Sequence, residues 1–217
     1  MAGIAEQALK TLAYRINTYD FLASLFLTLP DDTLAEKIRE PHKSEDMDDS
    51  IANQLLIRYS LACINKSTPE ILQELGVDRA KLLRGLREDG PRPPYESLFL
   101  SANASESCVA IMDHYLNAGL APIEDVHEPP DYLGVEFNFM ATLCRKEYDA
   151  LKRGNTKKAA LYRNITDDFL FAHTGQWAGQ FALEMQQNAQ TDFYRGIAFL
   201  ISDFMREEMD MLSTRKK

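Results

Sequence analysis

Glu128-Pro129-Pro130-Asp131-Tyr132-Leu133-Gly134 ends the segment before it and starts a long helix after it. Two consecutive prolines remove two backbone donors and hold the preceding residues extended, so no helix runs through this point. Asp131 is placed to cap the new helix, and Leu133, Phe137, Met140 and Cys144 recur at the spacing that lines one helical face. The predicted helix runs from Asp131 to Arg153.

Toward the C-terminus three more helices are expected, Lys157 to His173, Trp177 to Asn188 and Gln190 to Leu212, with turn signals at Gly154-Asn155 and Thr174-Gly175. Their aromatic residues, Phe169, Phe171, Trp177, Phe181, Phe193, Tyr194 and Phe204, read chiefly as core. Toward the N-terminus, Ala104 to Asn117 reads as a helix, with Gly119 free to take the left-handed conformation that closes it. Gly90-Pro91-Arg92-Pro93-Pro94 must be non-helical. Asp78 can cap a short helix through Leu82, Leu83 and Leu86, and Ser67-Thr68-Pro69-Glu70 starts another at Ile71 to Leu75. Helix resumes at Ile51 after a polar segment, His42 to Ser50, that carries Glu45, Asp46, Asp48 and Asp49. From Glu6 to Leu29, Leu9, Leu12, Ile16, Tyr19, Ala23 and Phe26 follow a helical repeat, and Pro30 with Asp31-Asp32 ends it.

No stretch alternates as paired strands would. The expected fold class is therefore all-α: a two-lobed helical bundle with an acidic, proline-containing hinge. The division falls near residue 125, giving an N-terminal helical lobe over 1–125 and a C-terminal lobe over 126–217 that includes the structural hinge at Pro129 and Pro130. A single continuous bundle is the alternative.

The chain has 217 residues and a formal charge of -9, from 24 Lys and Arg against 33 Asp and Glu. So acidic a protein repels a phosphate backbone, which argues against nucleic acid and favours basic peptides or basic protein surfaces. Cys63, Cys108 and Cys144 are far apart in apolar settings, as expected of free thiols in a reducing compartment. No cleavable leader and no stretch long enough to span a bilayer is read, so the expected location is cytoplasmic.

Catalytic signatures are missing. There is no glycine-rich phosphate loop, no zinc helix and no nucleophile elbow, and His42, His114, His127 and His173 lack metal-ligand spacing. No catalytic residue, metal ligand or cofactor is assigned, and His173 near Trp177 reads as a packing and hydrogen-bonding pair at a helix junction. Two segments qualify as binding surfaces. Glu124, Asp125, Glu128 and Asp131 carry acid with no intervening Lys or Arg, a set suited to the planar fork of an arginine. A solvated linker in which Asp131 only caps a helix accounts for the same residues. Arg92-Pro93-Pro94-Tyr95-Glu96-Ser97-Leu98-Phe99 offers a fixed extended approach with Tyr95, Leu98 and Phe99 as apolar contact area. Packing of that loop on the core is the alternative.

Three blocks, in order, resemble the TorD/DmsD family of cytoplasmic chaperones for molybdenum-containing redox enzymes. They are Pro93-Pro94-Tyr95-Glu96-Ser97 with the preceding Asp78 to Gly85; Glu128 to Gly134 continuing through Glu136, Phe139 and Met140; and Phe171-Ala172-His173 with Trp177, Phe181, Ala189, Phe193-Tyr194-Arg195-Gly196 and Leu200. With the Tyr19 to Phe26 opening, the likeness covers nearly the whole chain. Tyr132 departs from it, standing where many relatives carry histidine, and so lacks a group that titrates near neutrality.

The resemblance implies a non-enzymatic maturation chaperone. Such proteins bind a molybdoenzyme precursor, or its twin-arginine (Tat) signal peptide, and hold it until cofactor insertion and folding are complete. The implied peptide-binding residues are Pro94, Tyr95, Phe99, Glu128, Asp131 and Tyr132. Guanine nucleotide binding, discussed for the family, has no loop here to support it and stays unassigned, as do the client's identity and the oligomeric state. An all-helical protein-interaction adaptor with no maturation role is the alternative; a small-molecule hydrolase would need catalytic groups that are not read here.

Overall fold

The computed structural model describes residues 2–40, 49–85, 90–100, 103–120 and 127–215. Expectations that rest on Glu45, Asp46, Asp48, Leu86, Glu124 or Asp125 fall outside the described residues. Ten helices occur within them: α1 (Ala2–Leu27), α2 (Asp32–Arg39), α3 (Ile51–Cys63), α4 (Thr68–Leu83), α5 (Glu96–Phe99), α6 (Ala104–Asn117), α7 (Leu133–Lys152), α8 (Thr156–Ala172), α9 (Thr174–Asn188) and α10 (Asp192–Arg215). The protein is all-α. Among the described residues, the β-pairing is an isolated bridge, and no helix is long and apolar enough to cross a membrane.

Local chemistry accounts for most of the helix boundaries. The Asp31 side chain accepts from Leu34 N–H at 2.9 Å and starts α2. Ser67 and Glu70 form a capping box with Pro69 in the first turn of α4. Gly119, at φ +64°, closes α6: its N–H donates to Leu116 C=O and that of Leu120 to Tyr115 C=O, both at 2.9 Å.

The chain forms two compact units, each discontinuous in sequence. The first comprises Met1–Leu27, Tyr95–Trp177 and Glu208–Lys217; the second comprises Thr28–Pro94 and Ala178–Glu207. A single cut near residue 125 is a different partition, because packing groups Tyr95 to Asn117 with α7 and α8.

In the first unit α1 lies along α7, and α7 along α8. Gly134 lets α1 and α7 approach, since a Cβ there would come within 2.7 Å of Phe26 Cβ. Tyr19 and Phe26 meet Phe137, Leu22 is buried, and Tyr115 stacks on Phe139 with ring centroids 4.0 Å apart. Each such buried side chain contributes roughly 1.5–3 kcal/mol. Arg15 Nε and a terminal guanidinium nitrogen donate to the two carboxylate oxygens of Glu208, each at 2.6 Å, and Tyr19 O–H donates to Glu208 at 2.7 Å. All three residues are buried.

In the second unit the two short helices expected around Ile71 and Asp78 are one, α4. Asp78 lies inside it and caps a distant element instead. Its carboxylate accepts from Gln190 and Thr191 N–H, at 3.1 and 2.7 Å, and from Thr191 O–H at 2.7 Å, at the start of α10. Nothing in 71–83 forces a break, and a carboxylate directed away from its own helix satisfies donors at the end of another. Phe171 is a second correction: it is 55% exposed, whereas Phe169, Trp177, Phe181, Phe193, Tyr194 and Phe204 are buried as expected. Cys63 and Cys144 are buried free thiols, and Cys108 is half-buried.

Candidate functional site

The two proline-bearing segments singled out in the sequence meet. Both are held extended, so each presents backbone groups that no helix satisfies, and these groups pair with each other. Tyr95 and Tyr132 form an isolated antiparallel bridge, and Glu96 N–H donates to Asp131 C=O at 2.9 Å. The Tyr95 and Tyr132 rings lie 5.2 Å apart, and Tyr95 O–H donates to Glu128 at 3.0 Å.

Asp131 does not cap α7. Tyr132 is the N-cap residue of that helix and makes no side-chain capping bond, while the Asp131 carboxylate turns toward the 95–99 segment. It accepts from Ser97 O–H at 2.7 Å and from Ser97 N–H at 3.4 Å, and Cys108 Sγ lies 3.5 Å away. The bridge causes this, because it sets residue 131 beside residues 96 and 97. Pro129 and Pro130 form a turn in which Tyr132 N–H donates to Pro129 C=O at 3.1 Å. Both prolines lie within the first unit.

The remaining expected peptide-binding residues divide by burial. Tyr132 is buried: its hydroxyl donates to Phe26 C=O at 3.2 Å, satisfying a carbonyl of the last turn of α1. Phe99 is also buried, its ring 5.2 Å from that of Trp177, so it belongs to the core. Pro94 is buried and closes a segment of the second unit. Tyr95 and Glu128 are half-buried.

A groove of about 580 Å³ opens where the segments meet. Tyr95, Ser97 and Leu98 form one wall, Ala104, Ser105 and Cys108 of α6 the other, and Pro129 and Asp131 complete it. Leu98, at 46% exposure, and Val109 and Leu116 of α6, at 62% and 69%, leave apolar surface open to solvent in the same unit. The sequence signal for the groove is Ala104, Ser105 and Cys108, small residues spaced to leave one side of the helix shallow.

Several buried polar groups of this unit pair with one another. His173, between α8 and α9, has Nδ1 at 2.9 Å from Glu96 Oε2, and because a carboxylate only accepts, this contact puts the proton on Nδ1. Thr174 O–H donates to Glu136 at 2.7 Å. Burial, and then the neighbouring Glu96 carboxylate, raise the Glu136 pKa well above the usual carboxylate range. Burial and His173 lower the pKa of His114, whose ring meets that of His173 edge-on at 5.1 Å. Burial and the Asp131 charge raise the Cys108 thiol, which therefore stays protonated and weakly nucleophilic. Among the described residues no group of three His, Cys, Asp or Glu side chains could hold a metal ion.

Residues 34–183, which include both segments, match the family model described as nitrate reductase delta subunit. The chain is 34% identical over 68 residues to the chlorate reductase assembly chaperone protein of Ideonella dechloratans, covering 31% of this chain and 34% of that protein. It is 35% identical over 63 residues to the selenate reductase assembly chaperone protein of Thauera selenatis, covering 29% of this chain and 32% of that one. The aligned stretch thus spans about a third of each relative. Because the family model spans well over half of the sequence, this chain belongs to the nitrate reductase delta subunit family, in agreement with its TorD/DmsD-type resemblance.

Proposed function

We propose that this protein is a cytoplasmic maturation chaperone that binds the precursor of a molybdenum-containing reductase. In this reading it holds the precursor, or its twin-arginine signal peptide, by reversible binding and releases it once the enzyme is assembled, with no covalent step of its own. The supporting observation is the groove between Tyr95, Leu98, Cys108 and Pro129, which lies inside the family-matched stretch. The two relatives named as reductase assembly chaperones point the same way.

The groove accepts the apolar part of the signal peptide against Tyr95 and Leu98, and Phe99 supports it from the core. Asp131 shapes the groove through Ser97, and Glu128 beside Tyr95 is the carboxylate placed to meet an arginine. Calorimetry at fixed ionic strength tests this with a twin-arginine signal peptide and a matched peptide carrying two lysines. Losing bidentate, charge-assisted contacts should weaken binding by about 1.5–3 kcal/mol. Equal affinities would remove the arginine-specific part, and absence of binding to peptide and precursor alike would overturn the reading.

A further inference from the structure

We infer that Glu96 and His173 are a positioning pair that holds the 95–99 turn in the form that opens the groove, setting its affinity for an apolar segment from beneath. The structural half of this inference stands alone; the functional half rests on the peptide-binding reading above.

Helix α5 has four residues. One turn of helix is not stable by its own hydrogen bonds, so its shape must come from outside contacts. Glu96 supplies them in two directions. Its backbone N–H reaches Asp131 C=O, and its carboxylate reaches His173 Nδ1 at 2.9 Å, 77 positions along the chain. Ser97 extends the assembly by donating to the Asp131 carboxylate, so Glu96 links the α8–α9 junction to the groove wall.

Burial makes the link directional. Glu96 is 3% exposed and His173 5%, and His173 is the hydrogen-bond partner of the Glu96 carboxylate among the described residues. A buried carboxylate deprived of its partner carries a desolvation penalty and moves toward water, taking a one-turn helix with it. Neither residue lines the groove, so neither competes for the contacts that a bound peptide would make. Stability alone would be served as well by two apolar side chains, whereas a hydrogen-bonded pair fixes one geometry of the turn.

Backbone amide exchange, read by mass spectrometry on the whole chain, tests the pair alongside binding of a fluorescent twin-arginine signal peptide. His173→Phe keeps the ring packing on Phe169 but removes the bond. It should speed exchange at residues 96–98 by about tenfold or more while α1 and α7 keep their protection, and weaken the peptide by about tenfold. Glu96→Gln retains an acceptor for Nδ1–H and should stay within about threefold of wild type in both readouts. Should His173→Phe fail to unfold cooperatively, Glu96→Ala breaks the same bond and is read in the same way. Unchanged exchange at 96–98 in the breaking variant overturns the inference, as does faster exchange with unchanged affinity. If the wild-type protein itself does not bind the peptide, the peptide-binding reading fails, and the exchange measurement alone still decides whether the pair orders the turn.

Discussion

Tyr95 and Tyr132, 37 positions apart, face each other across an isolated antiparallel bridge with ring centroids 5.2 Å apart. This pairing turns two separate proline motifs into one site. It also separates residues that present a surface from residues that support one, and the predictions follow that separation.

Tyr95 is half-buried on the groove, whereas Phe99 sits against Trp177. Tyr95→Ser should lower peptide affinity with little change in helical circular dichroism, because its contribution is local contact area. Phe99→Ala should instead destabilise the fold by about 3–5 kcal/mol by opening a cavity in the core. Urea unfolding and calorimetry on both variants distinguish them; equal stability losses would place Tyr95 in the core as well.

Asp131 accepts two hydrogen bonds from Ser97 at a buried position. Asp131→Ala leaves those donors unsatisfied and should reduce stability by about 1–3 kcal/mol, whereas Asp131→Asn retains an acceptor and should lose less. Chemical denaturation gives the comparison. A loss of peptide affinity in Asp131→Asn with full stability would return this carboxylate to direct contact with the client.

Glu136 is fully buried with a raised pKa, chiefly through desolvation. A folded-state pKa above the unfolded value of about 4.3 means that its contribution to stability is fully present below that pH and is lost as pH rises through the folded value. Glu136→Gln mimics the neutral acid and should not lose it. Thermal unfolding from pH 4 upward should show the variant gaining on the wild type as pH rises, by about 2–4 °C for each kcal/mol recovered. A gap independent of pH would show that Glu136 is ionised in the fold.

Arg15 and Glu208 form a bidentate pair shared with Tyr19, all in the core. Arg15→Met alone strands a buried carboxylate and should cost about 3–5 kcal/mol, and adding Glu208→Leu and Tyr19→Phe should recover most of that loss. A thermodynamic cycle on denaturant midpoints measures the coupling. Additive losses would mean that the pair is not interacting as its geometry states.

Helix α6 begins and ends at the residues expected from the sequence, and α7 begins at Leu133, two residues after the expected start. These boundaries depend on proline geometry, on caps within three residues and on a repeat of 3.6, all of which act over a few neighbouring positions. The same range explains why Tyr95 and Asp131 could be singled out by type: an aromatic beside prolines and an acid before a helix carry their chemistry wherever they fold.

What those side chains do depended on partners brought from elsewhere in the chain. Asp131 and Asp78 both read as caps of their own helices, yet Asp131 serves Ser97 and Asp78 serves Gln190 and Thr191. Phe169 and Phe171 are equally apolar and two residues apart, but one is buried and the other exposed. A carboxylate takes whichever donors packing delivers, and a helix chooses which face to bury only when another element covers it. The local pattern of the sequence therefore determined most of the helices and their breaks, though not the continuity of α4 or the turn of α5. The joining of residue 95 to 132, of Glu96 to His173, and of distant segments into each compact unit was decided by the tertiary structure, because hydrogen bonds and buried surface between distant residues exist only once the chain brings them together.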